Sequence, residues 1–168
     1  INVAMMAAAS MLAESRVPLR VTHQTGRHDC ESVKMAYTAA GLSARVEPFL
    51  TTIADTMRDT ALVVSRAGPP TLAELAAVGL PSLLVPLPGA ANGHQHANAD
   101  VFAGQGAAEV LPQETLTGDH LARRVLALAE NDQRRVRMAT AATFLARPNA
   151  ASAAFPEIFL SIKSNKKR

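Results

Sequence analysis

Two short runs, Ala61 to Ser65 (ALVVS) and Ser82 to Val85 (SLLV), are apolar at nearly every consecutive position, and a stretch with helical spacing separates them. A strand that is apolar only at alternate residues can leave one face in water. A strand that is apolar throughout must be covered on both faces. Two such strands joined through a helix imply parallel neighbours with a right-handed crossover, which predicts an α/β fold with a doubly wound, Rossmann-like parallel sheet.

The rest of the chain continues that alternation. Periodicity and punctuation predict a helix over 2–15, a strand near 19–23, a helix over 29–40 and a strand near 44–47. A short helix over 52–59 precedes the first buried run. A helix over 71–78 closed by Gly79 lies between the two runs, and a helix over 94–104 follows the second. A short strand at 107–111 and two or three helices within 117–162, broken at Pro148 and Pro156, complete the pattern. Apolar residues make up 48% of the 168, but aromatic residues only 4%, so the core must be built of Ala, Val, Leu and Met, as suits helices lying close on a sheet.

The formal charge is only +3, and Lys163, Lys166, Lys167 and Arg168 concentrate the excess in a basic tail at 163–168. Such a tail is either solvated or attracted to an anionic membrane surface. The body of the chain carries no basic patch interleaved with aromatic residues, which argues against a nucleic-acid partner. The single cysteine, Cys30, excludes an internal disulfide and a cysteine-based zinc site, and the cytoplasm is the default compartment. The opening stretch is apolar, but Asn2, Ser10 and Glu14 and the lack of a basic start argue against a signal sequence, and no run is long enough to span a bilayer.

In open α/β sheets ligands gather where strands end and helices begin. Three loops are therefore the candidate site: 48–52, 66–71 and 86–95. The segment from Ser65 to Thr71 (SRAGPPT) leaves a buried strand and enters a helix, so free N–H groups and the positive helix end suit an anion there. Thr71 and Glu74 match a capping box, and Glu74 alternatively suits a vicinal diol, because a carboxylate accepts two hydrogen bonds. His94, Gln95 and Asn98 cluster at the start of the next helix. His94 and His96, two apart, point away from each other and cannot share a metal, so no metal or cofactor is expected. His23 and Gln24 end an early strand, and His23 reads as structural. No nucleophile with a base partner is recognisable.

These residues form an ordered series: HQTG at 23–26, PFL at 48–50, SRAG at 65–68, TLAELAAVGLPSLLVPLP at 71–88, HQ at 94–95, NA at 98–99 and GAA at 106–108. In order and spacing the series resembles the C-terminal domain of the MurG-type UDP-N-acetylglucosamine transferases of glycosyltransferase family 28, over roughly residues 1–145. The resemblance implies the C-terminal half of a two-domain GT-B fold, with residues 1–162 as the UDP-sugar domain. It implies transfer of GlcNAc from UDP-GlcNAc to a lipid-linked acceptor in peptidoglycan synthesis, at the cytoplasmic face of the inner membrane. The backbone beside Leu50 would meet the uracil, Arg66, Gly68, Pro70 and Thr71 the diphosphate, Glu74 the ribose, and His94, Gln95 and Asn98 the diphosphate edge and the sugar hydroxyls. No catalytic acid or base is implied on this chain.

Two departures from the family pattern bear on function. Pro69 and Pro70 have no N–H to offer a phosphate. The family's first strand and glycine-rich phosphate loop belong just ahead of Ile1, so the chain is expected to be a fragment that also lacks the acceptor domain. A donor subunit of a split transferase and a degenerate nucleotide-sugar-binding module are the alternatives.

Overall fold

A computed structural model describes residues 1–89 and 93–146. The predicted break at Pro148, the break at Pro156 and the basic tail lie outside the described residues.

Helices and parallel strands alternate in the order α1 (Asn2–Ala13), β1 (Val21–Gln24), α2 (Cys30–Ala40), β2 (Ala44–Glu47), α3 (Ile53–Arg58), β3 (Val63–Ser65), α4 (Pro69–Val78), β4 (Ser82–Leu84), α5 (His94–Gly104), β5 (Ala108–Val110), α6 (Gly118–Ala129) and α7 (Asp132–Phe144). The α/β class and the parallel pairing follow the sequence pattern. The strands form two parallel sheets, β1–β2 and β3–β4–β5, where a single continuous sheet was the simplest expectation. The inner edges of β1 and β3 are not paired with each other, so each of these strands is hydrogen-bonded on one side only.

β4 shows why a run apolar at every position was informative. Leu83 and Val85 face a core shared with α1, α2 and α6, while Leu84 faces a second core with α4, α5 and α7, and all three are fully buried. Burying a side chain of this size contributes about 1.5–3 kcal/mol, so the double coverage of this strand is a large part of what holds the two layers on the sheet. Small residues let the layers approach closely. A Cβ on Gly118 would lie 2.5 Å from the Ala7 side chain, so α6 meets α1 at backbone distance.

Local chemistry ends the helices where the pattern predicts. Gly79 closes α4 in the left-handed region (φ 73°), and the N–H of Leu80 returns to the Leu75 carbonyl at 2.9 Å. The start of α4 corrects the sequence reading: the N-cap is Gly68 in an extended conformation, Pro69 and Pro70 are the first two helical residues, and Thr71 is the third. The capping box from Thr71 to Glu74 therefore does not form. Proline is suited to a first helical turn because its missing N–H has no intrahelical acceptor there. At the outer strand Glu109 of β5 accepts hydrogen bonds from Arg124 of α6 and forms an ion pair with Arg134 of α7, which fastens the closing helices to that strand.

Candidate functional site

The carboxyl ends of β3 and β4 are adjacent, and α4 and α5 both start beyond them, so Thr71 and His94 lie near helix starts on one edge of the sheet, as expected. The loops between strand and helix are tied together there. The Arg66 guanidinium donates to the Val85 carbonyl (3.1 Å) and the Pro86 carbonyl (3.2 Å), crossing from the loop after β3 to the loop after β4. Asn98 of α5 donates to the Ala67 carbonyl at a long 3.4 Å, and Gln95 accepts the Leu87 N–H at 2.9 Å. Arg66, Gly68, Gln95 and Asn98 are thus brought to one place by contacts among the loops themselves.

Arg66 is half-buried, its guanidinium pushed below its usual range by desolvation, and no carboxylate pairs with it among the described residues. A desolvated cation held by two neutral carbonyls keeps its full charge available to an anion. The first intrahelical bond of α4 runs from the Leu72 N–H to the Gly68 carbonyl, which leaves the four preceding amide positions without helical partners. Two of these are proline, so Gly68 and Thr71 supply the N–H groups that α4 can offer a ligand. Pro70, included in the expected diphosphate contacts, can contribute only its ring surface and carbonyl.

Glu74 stands one turn further along α4, exposed and without a hydrogen-bond partner among the described residues. With the capping box absent, no structural task occupies its carboxylate. His94 is exposed at the first position of α5, behind a left-handed Gly93. His96 is half-buried on the same helix, and no group of three or more potential metal ligands exists among the described residues. Residues 90–92 of the loop before α5 lie outside the described residues.

Across the edge, Leu50 is buried, and its N–H is taken by the Gln24 side chain at 2.8 Å. Its carbonyl meets no side-chain donor among the described residues and lies where the loop turns into α3. Phe49 beside it is 70% exposed.

Sequence reading did not find two of the tethering residues. Gln24 fixes the Leu50 loop, and Asn2 at the head of α1 donates to the Thr25 carbonyl (2.9 Å) and to Asp29 (2.6 Å). Only the polarity of Asn2 within an apolar helix could have signalled it. An open groove of about 240 Å³ lined by Lys34, Tyr37, Thr38, Leu42, Ala44 and Val46 runs between α2 and β2, away from the convergent loops.

With this geometry in place, the comparisons are specific. Residues 1–154 match the model of the glycosyltransferase family 28 C-terminal domain. The chain is 39% identical over 97% of its length to the UDP-N-acetylglucosamine--N-acetylmuramyl-(pentapeptide) pyrophosphoryl-undecaprenol N-acetylglucosamine transferase of Geobacter sulfurreducens, and 44% identical over 86% to that of Pseudomonas fluorescens. It spans 45% and 40% of those two proteins, less than half of each. The crystal structure of Acinetobacter baumannii MurG superposes with a TM-score of 0.81 at 33% identity, over 90% of this chain and 46% of that one.

Proposed function

Since the chain belongs to glycosyltransferase family 28 through its C-terminal domain, we propose that it is the donor side of an inverting hexosyltransferase. It binds UDP-GlcNAc for transfer to a lipid-linked MurNAc-pentapeptide acceptor in peptidoglycan synthesis. The observation that carries this reading is Arg66, a fixed and unneutralised cation where two helices start on one sheet edge. The leaving group of such a transfer is a nucleoside diphosphate, whose developing charge a preorganised cation and free amides stabilise.

Roles follow from position. Arg66 with the amides of Gly68 and Thr71 faces the diphosphate, Glu74 the ribose, the Leu50 carbonyl the base, and His94, Gln95 and Asn98 the diphosphate edge and sugar hydroxyls. The acceptor hydroxyl attacks the anomeric carbon while UDP departs, and the acceptor, its general base and the contact with the membrane surface belong to a second domain.

The same reading includes a strand and a glycine-rich loop ahead of Ile1. It is supported by the one-sided pairing of β1 and β3 and by the head of α1, where Asn2 reaches the end of β1. A strand between β1 and β3 would emerge there. The double proline, which leaves α4 two N–H groups, favours a module of weakened diphosphate affinity as the second reading.

Calorimetric titration with UDP-GlcNAc tests the assignment. Wild type should bind it and reject the ADP counterpart, and Arg66→Ala should lose about tenfold or more in affinity, as befits removal of a charge-assisted contact. Equal affinity for both nucleotides, or an unaffected variant, contradicts it.

A further inference from the structure

His23 is 8% exposed at the end of β1, and both of its ring nitrogens are engaged. Nδ1 lies 2.7 Å from the Tyr37 hydroxyl of α2, and Nε2 lies 3.1 Å from Oδ1 of Asn2 at the head of α1. The protons in this chain can be placed by elimination. The Asn2 amide nitrogen faces the Thr25 carbonyl and an Asp29 carboxylate oxygen, which only accept, so the atom facing His23 is the amide oxygen. His23 must therefore donate from Nε2, and its bare Nδ1 must accept the Tyr37 hydroxyl proton. Each donor from Tyr37 through His23 to Asn2 has one acceptor, and three elements with the turn after β1 are joined in a single polar chain.

We propose that His23, as the neutral Nε2–H tautomer, is a positioning residue of the nucleotide edge, and that its protonation releases the head of α1 and the Thr25–Gly26 turn together. A second proton on Nδ1 would meet the Tyr37 O–H. The hydroxyl would have to turn away, leaving its hydrogen without an acceptor in a site where Tyr37 is 2% exposed. The consequence reaches the ligand loops because the next residue, Gln24, holds the Leu50 N–H, while the Thr25 and Gly26 amides bond to the Glu47 and Pro48 carbonyls. The groups around the ring reinforce the neutral form on balance. Desolvation disfavours the imidazolium most, while Asp29 pulls the other way. Tyr37 is itself held protonated by burial.

This inference rests on the nucleotide reading above for its functional consequence, but not for the chain itself. UDP-GlcNAc suits the test because its diphosphate diester does not titrate between about pH 5 and pH 8. Relative to His23→Gln, whose amide still donates to Asn2 but does not titrate there, wild-type affinity should fall about tenfold from about pH 8 to about pH 5, a ratio in which His94 is common to both proteins. The His23 ring should show the Nε2–H pattern in nitrogen NMR, and the amides of Thr25, Gly26 and Leu50 should shift with its titration. The same loss of affinity in wild type and variant, an Nδ1–H tautomer, or loop amides indifferent to the His23 titration would overturn the proposal. If UDP-GlcNAc does not bind at about pH 8, the nucleotide reading fails, and the NMR titration, which needs neither ligand nor variant, still decides whether His23 governs the turn and the helix head.

Discussion

The two sheets carry their strand-end loops on different fastenings. Around β3–β4–β5 the strands are sealed on both faces, and the loops are tied by Arg66, Gln95 and Asn98, whose side chains keep one charge state through the physiological range. Around β1–β2 the strands are more exposed, and the fastening runs through His23, which can change its charge. One half is built to be rigid across pH. The other depends on a single proton being in the right place.

The largest effect should separate the halves by burial. Leu84→Ala, at a fully buried position between two helices and the sheet, should cost about 2–5 kcal/mol by denaturant unfolding. Val46→Ala on β2 should cost about 1.5 kcal/mol, the worth of two methylene-sized groups. Equal losses, or the reverse order, would break the contrast.

A smaller effect should appear against pH. The folded-state pKa of His23 is lowered below the ordinary 6.5, so the unfolded chain takes up a proton more readily than the folded one. Stability should therefore be full above about pH 6.5 and decline as pH falls through the interval down to the folded value, by up to about 1.4 kcal/mol per pH unit. His23→Gln should remove this contribution from the pH profile, and an unchanged acid slope would show that other groups set it.

The smallest change sharpens the comparison of helix starts. Pro70→Ala returns an N–H to the first turn of α4, with a stability change of about 1 kcal/mol or less. Affinity for UDP should rise a few-fold, as one added neutral hydrogen bond would allow. Unaltered affinity would mean that the prolines do not limit diphosphate contact.

How far the sequence revealed this molecule depended on the range of the forces involved. The bounds 44–47 and 94–104 were legible because periodicity and glycine punctuation are local. The start of α4 was misread because the Thr71–Glu74 spacing imitates a capping box, although Pro at the first helical position was an equally local signal for an earlier start. The division into two sheets is a matter of which strands lie side by side, which no single segment states. Among site residues, the loops carrying Leu50, Arg66 and Glu74 were legible from strand ends. The ties from Arg66 to Val85, from Gln24 to Leu50 and from Asn2 through His23 to Tyr37 were not, because each joins residues distant in sequence whose patterns are silent about each other.

The central claim, that this edge recognises a uridine nucleotide, is tested most directly at Glu74. Its carboxylate is exposed on α4 and free of the capping role that the sequence suggested, so its replacement by glutamine should leave stability unchanged. The measurement is the affinity of wild type and Glu74→Gln for UDP and for its 2'-deoxy analogue. Wild type should prefer the ribose form by about tenfold, as charge-assisted bonds to the hydroxyls of a diol imply, and the variant should lose that preference. Equal discrimination by the two proteins would contradict the account.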